Sequence, residues 1–125
     1  MSVAFQDARD VLTGVRLTNS PAAITNASLT TRSHRGWYST VATRYETGRR
    51  TLEGPVTPPF ARSDLNVGFA AASRAVPRWL RETDASVRIS NLFDRTYFTP
   101  GGIEHRQAAI AQPGRTLMVR FDSRF

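Results

Sequence analysis

The chain contains no cysteine and no lysine. The first absence excludes a disulfide framework and any thiolate-based metal or redox centre, and it leaves the compartment open. The second means that all seventeen basic residues are arginine, which against ten acidic residues gives a formal charge of +7. An arginine-only excess invites a nucleic-acid reading, because guanidinium groups pair bidentately with phosphate. The placement argues against it. Arginines are scattered along the whole chain and only Arg49-Arg50 are adjacent, so there is no dense patch of the kind that counterion release exploits. No apolar run approaches the roughly 18 residues of a membrane-crossing helix, and no 3.6-residue apolar stripe marks an amphipathic one. Met1 to Asp10 lacks the basic and apolar regions of a signal peptide. If this chain meets a membrane, it does so as strands.

Histidine is almost absent as well, which bears on chemistry. His34 and His105 are far apart in the chain, and neither stands in a spacing such as His-Glu-x-x-His. Glu104-His105 is at most half of a metal site. Ser90, Asp94 and His105 assemble into a triad only on paper, without a Gly-x-Ser-x-Gly elbow, and Gly101-Gly102 lacks the third glycine and the helix of a phosphate cradle. The expectation is no enzyme, no cofactor and no bound metal.

What the sequence does have is alternation. In Arg115 to Phe125, the residues Leu117, Val119, Phe121 and Phe125 share one parity, and Met118, Arg120, Asp122 and Arg124 share the other. Period two is the signature of a strand. The pattern recurs in Asp84 to Leu92 (Ala85, Val87, Ile89 against Ser86, Arg88, Ser90) and in Ala61 to Ala72 (Leu65, Val67, Phe69, Ala71 against Asp64, Asn66, Gly68, Ala70). It is also present in Trp37 to Thr47 and, more weakly, in Ile24 to Ser33, with Met1 to Phe5 as a strand stub. The connections are a polar stretch Gln6 to Ala23 with ragged pairing around Val15 to Leu17, a tight turn at His34-Arg35-Gly36, and a loop Gly48 to Phe60 dense in Gly and Pro. A medium turn Ser73 to Thr83 and a long loop Phe93 to Gly114, part of which extends its flanking strands, complete the chain. The fold expected is all-β: one domain, an antiparallel meander of about five to six strands with no crossover helix.

Two settings suit such strands. In a soluble sandwich the apolar face packs on a second sheet; in an outer-membrane barrel it meets lipid while the charged face lines a wet lumen. The terminal strand fills the 9 to 11 residues that a tilted membrane strand needs. Long and short connections alternate, as extracellular loops and periplasmic turns do in such barrels.

The run Val87-Arg88-Ile89-Ser90-Asn91-Leu92-Phe93-Asp94-Arg95-Thr96-Tyr97, then Pro100-Gly101-Gly102, then Gln112-Pro113-Gly114-Arg115 and a last alternating strand ending in Phe125, resembles the C-terminus of a TonB-dependent outer-membrane receptor. Asn19-Ser20-Pro21, Asn26-Ala27-Ser28-Leu29, Arg44-Tyr45 and Arg49-Arg50-Thr51-Leu52 resemble the hairpins that precede it in the same family. The resemblance implies that residues 1 to 125 are an incomplete segment of a transmembrane β-barrel, without the plug domain, TonB box and signal peptide of an intact receptor. It implies a parent that imports iron-siderophore complexes or similar solutes through the outer membrane of a Gram-negative bacterium, and a fragment that does not transport alone. Implied partners are outer-membrane lipid, the barrel-assembly machinery, TonB only through the absent N-terminal part, and the remainder of a split receptor. Leu117, Val119, Phe121 and Phe125 would form the barrel-assembly signal, although Ser123 stands where the family usually has an apolar or aromatic residue. Arg49, Arg50, Tyr97, Phe98 and His105 would lie in extracellular loops. The alternative is a soluble basic β-domain that binds nucleic acid or an acidic partner, which would need a second layer over its apolar face.

Overall fold

A computed structural model describes residues 2–5, 7–70 and 83–123. They form β1 (Ser2–Phe5), β2 (Ala23–Arg32), β3 (Trp37–Glu46), β4 (Phe60–Ala70), β5 (Thr83–Ser90), β6 (Phe98–Pro100), β7 (Ala109–Ala111) and β8 (Thr116–Ser123), with no helix among the described residues. Six strands make one antiparallel sheet in the order β1-β2-β3-β4-β5-β8, and β6 and β7 make a separate two-stranded one. The large sheet does not close: β1 and β8 are its two edges. The protein is therefore all-β, an open antiparallel meander, as the alternation predicts.

The register explains why the sequence pattern alternates as it does. Leu29 faces Val41, Val41 faces Leu65, Leu65 faces Ile89 and Ile89 faces Leu117, so one aliphatic row crosses five strands. Beside it, Val67, Val87 and Val119 continue a row that begins with Thr31 and Ser39. Next comes Trp37 opposite Phe69, then Ala85 opposite Phe121. Trp37 and Phe69 meet edge to face with ring centroids 5.4 Å apart, a favourable geometry for the ring quadrupoles. Since side chains alternate across a strand, a slip of one residue would transfer every one of these rows to the charged face.

Among the described residues nothing covers the apolar rows. Substantial contacts between strands occur only between hydrogen-bonded neighbours among the described residues, so the sheet is a single layer. Leu29, Trp37, Val41, Tyr45, Val67, Val87, Leu117, Val119 and Phe121 are all exposed, and among described hydrophobic residues Tyr97 alone is buried. Thr43 and Ser63 also interrupt this face, and their hydroxyls bond each other at 2.9 Å.

Three connections gather at one end of the sheet: the segment between β1 and β2, that between β3 and β4, and that between β5 and β8. The first contains the pairing expected near Val15 to Leu17, as a bridge between Arg9 and Arg16. The last departs from expectation, because it does not extend its flanking strands. It folds on itself as the β6–β7 hairpin, with Phe98 opposite Ala111. β5 stops at Ser90 because Asn91 turns to positive φ (53°) and breaks the extended run. At the opposite end, His34 and Arg35 form the tight turn, closed by a hydrogen bond from the Ser33 amide to the Trp37 carbonyl. The turn expected over Ser73 to Thr83 falls, apart from Thr83, outside the described residues.

Candidate functional site

Three regions hold the residues singled out by sequence. The first is the terminal strand. Leu117, Val119 and Phe121 stand side by side on the apolar face of β8, each about two-thirds exposed. Among the described strands none pairs with the outer side of β8, which is an edge of the sheet. Phe125, expected to act with them, lies outside the described residues. An uncovered edge with alternate apolar side chains can accept another strand, main chain giving affinity and side-chain parity giving register.

The second region is the loop end. Arg49, expected as an outward loop residue, is tied down: it donates to the Glu46 carboxylate and, at 2.9 Å, to Asn19 Oδ1. Arg50 is exposed and joins the loops through its backbone, its carbonyl accepting from the Asn19 amide at 2.8 Å. Tyr97 is buried, its ring against Phe60 at 4.6 Å, and its hydroxyl accepts from Arg62 Nη1 at 3.2 Å. Phe98 opens β6 and is half-buried. His105 is exposed and meets Glu104 Oε1 at 3.3 Å. These five residues are not brought to one point, and no group of three or more His, Cys, Asp or Glu that could hold a metal occurs among the described residues.

Within this end lies the Asn91-Leu92-Phe93-Asp94 element, and it is a clamp. Asn91 is 2% exposed. Its side-chain amide donates to the Arg95 carbonyl at 2.9 Å and its Oδ1 accepts from the Arg95 amide at 2.9 Å. Its own amide donates to Asp64 Oδ1 on β4 at 3.0 Å, and the Leu92 amide donates to the Ser63 carbonyl at 2.7 Å. Asp94 accepts from the Arg115 amide at 2.7 Å, which fixes the start of β8. A Cβ on Gly114 would come within 2.6 Å of that carboxylate, so a side chain there would push Asp94 off the Arg115 amide. Three hydrogen bonds thus join β4, the end of β5 and the start of β8 at one corner, and two more close the turn from Asn91 to Arg95.

The third region is the polar face, and it carries residues that sequence reasoning passed over. Arg44 pairs with Glu46 at 2.8 Å, Arg62 with Asp64 at 3.3 Å, and Arg120 with Asp122. Each is an Arg-x-acid step along one strand, two residues apart and therefore on one face. The signal was present in the sequence as a repeated spacing on three strands. Asp64 is shared with Arg88 at 3.2 Å, and Glu46 with Arg49. Farther along, Tyr38 lies over Gly68, its direct partner, where an added Cβ would stand 2.4 Å from the ring.

What the arrangement can do is present a greasy face to one environment and an ion-paired face to another. No helix is long and apolar enough to cross a membrane among the described residues, a statement that does not touch strands. Comparison of the chain with protein-family models, with curated proteins and with solved structures finds no match.

Proposed function

We propose that this chain is a portion of the wall of an outer-membrane β-barrel, resembling the C-terminal part of a TonB-dependent receptor for iron-siderophore complexes or similar scarce solutes. One observation carries the reading: an aliphatic row runs unbroken across five strands of the sheet, with shorter apolar rows beside it, and among the described residues nothing packs on them. Soluble monomers seldom expose continuous apolar patches beyond a few hundred Å², and each Å² left in water forgoes about 25 cal/mol. In lipid the same rows lie at rest. Trp37, Phe69 and Phe121 on one side and Tyr45 on the other flank the aliphatic rows, the positions where barrels carry interfacial aromatics. The opposite face, with its paired charges, suits a wet lumen.

The edges set the partners. Unpaired N–H and C=O groups of β1 and β8 are costly in hydrocarbon, and the smallest barrels close with about 8 strands. Six strands therefore need others, on the same or a second polypeptide, before anything is transported; the intact family uses about 22. The loop end faces outward and the end bearing the His34-Arg35 turn faces the periplasm. Leu117, Val119 and Phe121 on the β8 edge are read by the barrel-assembly machinery, together with Phe125. The function is passive containment and solute recognition, with no catalysis.

Refolding from denaturant, in water and in non-ionic detergent micelles, tests this. Far-UV circular dichroism should show strand in micelles and aggregation in water. A monodisperse chain that unfolds cooperatively in detergent-free buffer would overturn the proposal and favour a soluble basic β-domain.

A further inference from the structure

We infer that the polar face holds a binding groove for a small oxyanion, a carboxylate- or phosphate-bearing solute, between Arg44 and Arg62. The two arginines are direct cross-strand partners on β3 and β4. Like charges directly opposite each other destabilise a sheet, so their placement asks for a compensating charge. The protein supplies only part of it. Four guanidinium groups (Arg44, Arg49, Arg62 and Arg88) share the two carboxylates of Glu46 and Asp64, which leaves the cluster with two net positive charges.

Geometry leaves room for the rest. The adjacent row is Ser28, Ala42 and Asp64, whose first two side chains are small. Together with Asn26 they line an open groove of about 390 Å³ beside both arginines. Donors also remain. Among the described residues Arg62 uses Nη1 for Tyr97 and Nη2 for Asp64, and Arg44 uses Nε and Nη2 for Glu46 and Nη1 for Asn26. A guanidinium has five N–H donors, so both keep some unspent, and a fork of parallel N–H groups is the geometry that carboxylate and phosphate oxygens take best. The bonds to Glu46 and Asp64 hold each guanidinium in place, which preorganises the groove.

The inference rests on the barrel reading only for where the solute comes from; binding itself is a property of the polar face. The test is isothermal titration of the detergent-folded chain with succinate and, separately, with inorganic phosphate, at low ionic strength. Saturable binding of either is expected, weakened about tenfold or more by Arg62→Gln or Arg44→Gln, a change worth about 1.4 kcal/mol per decade. Arg120→Gln, on the same face and also paired with a carboxylate, should bind as the parent chain does. Ala42→Leu fills the groove without changing charge and should abolish binding while leaving the circular dichroism unchanged. No saturable binding, equal weakening by Arg120→Gln, or full binding by Ala42→Leu would each overturn the inference. None of these outcomes alters whether the chain folds in micelles, so the two proposals fail separately. Succinate binding without phosphate binding identifies a carboxylate solute, and the reverse a phosphate one.

Discussion

The sheet and the loop end of this molecule are built on opposite terms. The sheet has extensive main-chain pairing and, among the described residues, no core: its apolar rows are open, and its order comes from register. The loop end has little regular structure and holds most of the buried residues, including Ser20, Glu46, Thr51, Thr57, Asn91 and Tyr97, nearly all of them polar. Among the described residues, every buried side-chain N or O atom except the hydroxyls of Ser20 and Thr51 has a hydrogen-bond partner, as buried polar groups require. The difference teaches where specificity resides. A face that meets a fluid solvent, whether lipid or water, needs only the right polarity, whereas loops that must hold a fixed shape need paired atoms.

That contrast makes substitutions at the loop end costly and those on the apolar face cheap. The largest effect is expected at Glu46, 1% exposed and bonded to Arg44 and Arg49. Removing one partner of a buried ion pair costs about 3 to 5 kcal/mol, and the lower end applies because both arginines keep some contact with solvent. Glu46→Gln should therefore lower the urea midpoint in micelles clearly, and a midpoint within error of the parent chain would place the loop end on the same footing as the sheet.

Asn91→Ala comes next. It removes the two side-chain bonds to the Arg95 backbone, each worth about 0.5 to 1.5 kcal/mol. It also asks a residue with a Cβ and no local hydrogen bond to hold a positive φ, roughly another 1 kcal/mol. A loss of about 2 to 4 kcal/mol follows, and amide exchange at Arg95 and Arg115 should quicken together, since one clamp holds both segments. Exchange confined to Arg95 would separate the Asn91 and Asp94 halves of that clamp.

On the sheet, Val119→Ala should cost less than about 0.5 kcal/mol, as for surface positions generally, whereas burial in a protein core would raise the cost well above that. A loss above about 1.5 kcal/mol by the same urea titration would mean that something packs on β8 after all. Smallest of all is a pH effect at the first loop. The Thr13 amide, then the Thr13 hydroxyl and the Leu12 amide, bond the Asp10 carboxylate and hold its pKa below the ordinary value of 3.8. A depressed carboxylate contributes stability above its unfolded pKa and loses it as pH falls through the folded one. The amide resonances of Leu12 and Thr13 should thus stay constant from neutral pH to near 4 and shift only below it.

The fold was legible because each long strand carries its own period-two record, and neighbouring records agree in register. β2 was the faintest: its apolar parity offers only Ala27, Leu29 and Thr31 beyond the β1 stub. β6 and β7 were missed because three residues apiece, with Pro100 ending one of them, are too few to show a period. The clamp could be seen as a motif but not as a mechanism, since its partners Ser63, Asp64 and Arg115 are distant in sequence. The burial of Tyr97 was hidden for the same reason: the ring it packs on is Phe60, on β4. The Arg-x-acid steps were visible yet unused, because a charge pair two residues apart acquires meaning only when the next strand repeats it.

The central claim is that one face of this sheet rests in lipid. Single cysteines, introduced one at a time into this cysteine-free chain along β4 and β8 and spin-labelled in micelles, test it most directly. Collision with oxygen, which concentrates in the apolar phase, should be high at 65, 67, 69, 117, 119 and 121, and collision with a water-soluble nickel chelate high at 64, 66, 118, 120 and 122. If the first set is instead shielded from both reagents, or open to the nickel chelate as the second set is, the apolar rows do not face lipid and the claim is wrong.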